Sequence, residues 1–97
     1  MLVNILYFDN SEDVDIIYVP EYIYDKVELY GQQFCDWLGS GNIDDEYYVI
    51  IHGRKCISLE TVGFINWLNK YICLDNDKAY IVEQHTKLNP LYKTVDF

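Results

Sequence analysis

Basic residues are almost missing from the first half of this 97-residue sequence: positions 1–53 hold one, Lys26, against eleven acids, for a net −10. Positions 54–97 hold five acids and six bases, a net +1. So acidic a half repels phosphate backbones, which argues against direct nucleic-acid binding and favours a basic partner. No apolar run approaches the roughly 18 residues that a membrane helix needs. The apolar start, Met1 to Leu6, lacks a basic flank and a small-residue cleavage site, so no signal peptide is expected. Cys35, Cys56 and Cys73 are odd in number and lie among apolar residues. That is the pattern of reduced, mostly buried thiols in a cytoplasmic protein.

Motifs that carry chemistry are also missing. No C-x₂-C or H-x₃-H spacing links the cysteines with His52 and His85, so no metal is expected. Asp75-x-Asp77 opens like a calcium loop, but Ala79, Tyr80 and Thr86 stand where the fifth, sixth and twelfth positions need other residues. Gly39-Ser40-Gly41 follows a helix and has no lysine-serine after it, which makes it a cap and turn instead of a phosphate loop. A nucleophile would need Cys35 or Cys56 beside His52 or His85, and nothing in the spacing places them together. No cofactor is expected, and the chain reads as a binder, not an enzyme.

What is present is one bulky core. Ninety-seven residues make a single domain, here a body over 1–88 and a tail over 89–97 that can dock on it through Leu91, Tyr92, Val95 and Phe97. Strands are expected at Leu2–Phe8 and Val14–Val19, closed by Pro20. Asp25 and Glu28 fit a D-x-x-E capping signature before a helix whose stripe is Val27, Tyr30, Phe34, Trp37 and Leu38, and its start is either Asp25 or as far back as Glu21. A hairpin follows, Tyr47–Ile51 with Lys55–Ile57, and Ser58 can cap a second helix with Phe64, Trp67, Leu68, Tyr71 and Ile72 inward. Ala79–Glu83 is the last strand. The expected fold is α+β in the order ββαββαβ, an antiparallel sheet of about five strands with two helices. Tyr18, Val19, Leu29, Phe34, Trp37 and Leu38 recur 30 positions later as Tyr48, Val49, Leu59, Phe64, Trp67 and Leu68. This weak repeat suggests a shared scaffold, and its F-x-x-W-L element puts three side chains on one helix face.

The candidate contact surface is acidic and rich in tyrosine. Glu21-Tyr22-Ile23-Tyr24-Asp25 and Asp44-Asp45-Glu46-Tyr47-Tyr48 both set tyrosines beside carboxylates, and Asp13 and Asp15 add a third acidic stretch. Carboxylates steer and pair with lysine and arginine, while tyrosine faces stack on the same cations. The partner-binding candidates are therefore Asp13, Asp15, Glu21, Tyr22, Tyr24, Asp44, Asp45, Glu46 and Tyr47. The structural alternative for the tyrosines is to cap sheet edges.

A short acidic chain with such clusters and no catalytic motif resembles the bacterial immunity proteins of contact-dependent growth-inhibition systems. The resemblance is one of overall character along the whole chain. It implies a monomer that neutralises a basic toxin domain, often a nuclease, in a 1:1 complex in the cytoplasm. Val19-Pro20-Glu21-Tyr22, leading into a helix with Phe34 and Trp37, is similar to the barstar inhibitors, but the two hairpin-like strand pairs depart from them. Competing readings are a nucleic-acid mimic that inhibits a defence nuclease, and a small ligand-binding domain or enzyme. The last would need a concave pocket with convergent polar groups.

Overall fold

A computed structural model describes residues 1–40, 47–57, 60–74 and 76–97. Its elements are β1 (Leu2–Leu6), β2 (Val14–Tyr18), α1 (Glu21–Tyr24), α2 (Val27–Leu38), β3 (Tyr48–Ile51), β4 (Arg54–Ile57), α3 (Thr61–Trp67), β5 (Tyr80–Thr86) and β6 (Lys93–Asp96). A π-helical turn, Leu68–Ile72, extends α3. The chain is α+β, as the alternating and helical periods predict.

The strands do not form one antiparallel sheet of five. They divide into a four-stranded sheet, order β5-β2-β1-β6, and a separate β3–β4 hairpin. The large sheet is mixed, because β6 runs parallel to β1 with Val95 opposite Ile5. Those are the residues expected to be an irregular tail. Val95 is buried, Phe97 donates its N–H to Leu6 O at 2.9 Å, and the Phe97 ring meets Phe64 at 5.5 Å. Leu91, also expected to dock, stands in solvent.

One face of the sheet carries the core. Val3, Ile5, Ile17 and Val95 lie under α2 and α3 with Phe34, Phe64, Trp67 and Leu68. The two F-x-x-W-L elements meet directly, Phe34 lying 5.4 Å from Phe64 and 5.6 Å from Trp67. Gly31 lets α2 approach β6: a Cβ there would sit 2.6 Å from Val95 Cγ1. The strand part of the 30-residue repeat has no counterpart in the fold, since β2 is central in the sheet and β3 belongs to the detached hairpin.

The opposite face is crossed by a strap. β5 and β6 sit at opposite edges, so residues 87–92 must pass beneath β2 and β1, about 14 Å at 4.8 Å per strand. Asn4, fully buried in β1, grips the strap: its Nδ2 donates to Asn89 O at 2.8 Å and its Oδ1 accepts from Asn89 N at 3.0 Å.

Helix entry also differs from expectation. The Asp25–Glu28 box does not form; Lys26 occupies the cap position of α2 without a side-chain bond, and Glu21–Tyr24 folds as a separate short helix. Pro20 precedes that helix, its fixed φ suiting a helix start. Ser58, expected to cap α3, lies outside the described residues, and Glu60 stands at that cap.

Candidate functional site

The main cavity among the described residues opens at one end of the four-stranded sheet and encloses about 500 Å³. Tyr7 and Phe8 enter it from the end of β1, and Asn10 and Asp13 from the β1–β2 loop. Asp15 comes from β2, Gln84 and His85 from β5, and Glu60, Thr61 and Val62 from the start of α3. Register explains the place of Asp15. It pairs with Ile5, so its carboxylate is on the helix-covered face, where the sheet runs out under α3.

A hydrogen-bonded relay lines the wall. The buried Thr61 hydroxyl donates to Asp15 Oδ2. With that proton committed, Tyr7 OH donates to Thr61 Oγ1, 2.7 Å away. Asp15 Oδ1 accepts the His85 backbone N–H at 3.3 Å, and Asp13 Oδ1 meets His85 Nδ1 at 2.9 Å. Burial, above all, pushes the Tyr7 hydroxyl up to about 12. The hydrogen bond to Asp13 and the negative charge of that carboxylate raise His85 above its usual value.

The rim is unusual in its backbone. Phe8 (φ 54°), Asp9 (φ 57°) and His85 (φ 57°) all occupy the left-handed region. For a bulky residue this conformation costs about 1–2 kcal/mol. Phe8 regains nothing from burial, being 87% exposed. Its backbone is held by Phe8 N–H to Phe97 O at 3.4 Å and by Asn10 N–H to Tyr7 O at 3.1 Å. The result is an exposed aromatic ring on the rim of a cleft that three carboxylates, those of Asp13, Asp15 and Glu60, also line.

The candidates from sequence are brought together only in part. Asp13 and Asp15 meet in the cleft. Glu21, Tyr22 and Tyr24 lie at the far end of β2, about 13 Å away along a strand rising 3.3 Å per residue. There Tyr22 OH accepts the Leu74 N–H at 2.9 Å and joins the chain after α3 to α1. The Tyr24 ring is already covered by Lys93 Nζ, 4.6 Å from its centroid. Tyr47, expected on the contact surface, is 2% exposed and packs edge-on to Trp37 at 4.8 Å. The apolar side of its ring belongs to the core, so its carboxylate neighbours in sequence do not bring it to the surface. Asp44, Asp45 and Glu46 lie outside the described residues.

Tyr7, Phe8, Glu60, Thr61 and His85 were not legible as site residues. They come from three separate places in the chain, the end of β1, the start of α3 and β5, and no spacing links them. Two other chemistries find little here. Cys35 and Cys73 have thiols raised by burial, which disfavours the nucleophilic thiolate. Among the described residues no three His, Cys, Asp or Glu side chains are grouped to hold a metal ion. No helix among them is long and apolar enough to cross a membrane. Comparison of the chain with protein families, curated proteins and solved structures finds no match.

Proposed function

We propose that the chain is a binding inhibitor of the immunity type, which neutralises a basic toxin domain by seating a lysine or arginine of it in the cleft of Asp13, Asp15 and Glu60. The observation that carries this reading is that the exposed Phe8 ring and those carboxylates line one cleft. An arginine entering the cleft pairs with Asp13 or Glu60 and stacks on Phe8, and the two interactions reinforce each other as water leaves. Asp15 already accepts bonds from Thr61 and His85, so it supplies field instead of a free oxygen. The acidic first half steers the approach and accelerates association by roughly one to three orders of magnitude at low salt. Each chain presents one such cleft among its described residues, which gives one toxin per chain. No bond-making step is assigned to it, and the cytoplasm is where a chain protecting its own cell would act.

The cleft volume also favours a second reading, a small ligand-binding domain for a cationic metabolite, since such sites span roughly 300–1,000 Å³. One experiment separates the two. Basic nuclease domains, and the product of any adjacent gene that encodes one, are titrated against the chain at several salt concentrations, with Asp13→Lys, Phe8→Ala and Asp96→Lys as variants. The inhibitor reading expects tight, salt-sensitive binding, lost on the first two substitutions and kept on the third, which lies on β6. Equal loss at Asp96, or no protein bound while free arginine saturates the cleft, would sink it.

A further inference from the structure

The β3–β4 hairpin pairs with no other described strand. Tyr47 roots it in the core, and beyond it β3 runs outward with Val49, Ile50 and Ile51 exposed by 36, 69 and 50%. Alternation puts Ile50 on one face and Val49 and Ile51 on the other, so neither face is covered. A lone two-stranded hairpin is marginal in water. Its two edges differ. β4 carries Arg54 and Lys55, the kind of charge that keeps an edge from pairing. β3, Tyr48-Val49-Ile50-Ile51, has no charge and no proline.

The pairing shows which backbone groups are free to bond outward. The turn has two residues, His52 (φ 51°) and Gly53 (φ 76°), both left-handed as a type I′ hairpin requires. Ile51 and Arg54 flank it and exchange both hydrogen bonds, and alternation then assigns the next such pair to Val49 and Cys56. The N–H and C=O groups of Tyr48 and Ile50 therefore point away from β4.

We infer that the chain self-associates through this edge. Two copies pair their β3 strands antiparallel about a two-fold axis at Val49, with Ile50 of each opposite Tyr48 of the other. That register satisfies the outward groups of both residues on both copies and joins two hairpins into one four-stranded sheet. Charge selects a second copy as the occupant. The hairpin holds two bases and no acid, while the chain as a whole carries −9. Antiparallel pairing directs the basic tip of each hairpin toward the root of the other, and so toward an acidic body. A basic toxin would be repelled by the same tip. The inference stands apart from the cleft, and it replaces the expectation of a monomer.

A strand pair of four residues a side buries less than the roughly 1,200 Å² of stable interfaces, so the dimer is weak, and sedimentation velocity from about 20 µM to about 1 mM spans its range. The full chain is expected to shift from monomer to dimer across that span. Ile50→Pro removes an N–H that β4 does not use, so the hairpin ladder survives and dimerisation is lost. Ile50→Lys, which places a charge on the edge, gives the same result if the proline variant fails to fold. Amide chemical shifts followed on dilution are expected to move at Tyr48–Ile51. A chain monomeric throughout, a dimer that persists in folded Ile50→Pro, or dilution shifts confined elsewhere overturns the inference. So does a monomer whose toxin complex is lost in Ile50→Pro, since the edge would then belong to that partner.

Discussion

Among the described residues Asn4 is the one buried amide that ties the C-terminal strap to the sheet, and its removal has a calculable cost. Asn4→Ala leaves the Asn89 N–H and C=O without their partners at 3.0 and 2.8 Å. A buried polar group left unpaired costs about 1–3 kcal/mol. The strap is half-buried at Asn89, and water entering the space that the amide vacates recovers part of that cost. The two groups together are then worth about 2–4 kcal/mol, a large share of the 5–15 kcal/mol that holds a domain of this size. At about 4–8 °C per kcal/mol, the midpoint of thermal unfolding falls by roughly 8–32 °C. Hydrogen exchange should quicken at Leu88 and Asn89, whose amides bond Ser11 O and Asn4 Oδ1.

Asn4→Asp sharpens the test at constant shape. The carboxylate still accepts from Asn89 N–H but faces the Asn89, Tyr92 and Lys93 carbonyls that Nδ2 now contacts. Burial and those oxygens disfavour ionisation, so the folded pKa rises above the unfolded value of about 3.9. Below that value both states are protonated and the deficit is smallest. It grows as pH rises from there toward the folded pKa. Urea unfolding of both variants, each referred to the parent chain at the same pH, reads the two effects. A loss below about 1 kcal/mol in Asn4→Ala, or a pH-independent deficit in Asn4→Asp, refutes the role given to this residue.

Other outcomes follow from the cleft and from the α2–β6 contact. His85 titrates above its usual value because Asp13 bonds it, so the pair adds stability fully below the unfolded pKa of about 6.5 and loses it as pH rises through the folded pKa. A ring-proton titration by NMR should show this, and Asp13→Asn should lower the His85 midpoint. Gly31→Ala gains about 0.5–1 kcal/mol of helix propensity but forces a Cβ to 2.6 Å from buried Val95, an overpacking that costs about 1–3 kcal/mol. Net destabilisation of up to about 2.5 kcal/mol is expected from these magnitudes, with part of it recovered beside Val95→Ala in a double-mutant cycle. Phe8→Gly relieves a left-handed backbone worth about 1–2 kcal/mol and repays roughly half in chain entropy, so stability holds or rises slightly, while the proposed function expects binding of a basic partner to fall.

The helices were legible because their periods are strong. Val27, Phe34 and Leu38, and Phe64, Trp67 and Leu68, are buried where the 3.6-residue stripe places them. The hairpin was legible from its glycine turn. β6 was not, because Lys93-Thr94-Val95-Asp96 has only one apolar residue and draws its place from pairing with β1 and from Gly31. The division into two sheets was equally hidden. Strand pairing depends on partners far apart in the chain, and β3 has the apolar content of a central strand although both its faces are exposed. Of the contact surface, only Asp13 and Asp15 were gathered as acids near one another in sequence. The cleft needed β5 and α3 to come beside them, and the left-handed backbone of Phe8 has no sequence signal.

The charge asymmetry read along the chain takes a different form in space. It is not a boundary between two halves of one scaffold, because β1, β2, α1 and α2 interleave with β5, β6 and α3 in a shared core. What the fold separates is an acidic cleft at one end of the large sheet and a basic, apolar hairpin outside that sheet. Folding alone gives no reason for either. A stable core is better served by Phe8 in an ordinary backbone conformation, and by an Ile50 side chain that is buried or replaced by a polar one. Each surface departs from that preference: the cleft with an exposed aromatic on a rim it shares with carboxylates, the hairpin with an uncharged strand edge that no described strand pairs. Opposite charge keeps the two from competing, since a cation drawn to Asp13 and Glu60 is repelled from Arg54. The cleft and the hairpin are therefore separable by mutation, and loss of one leaves the other intact.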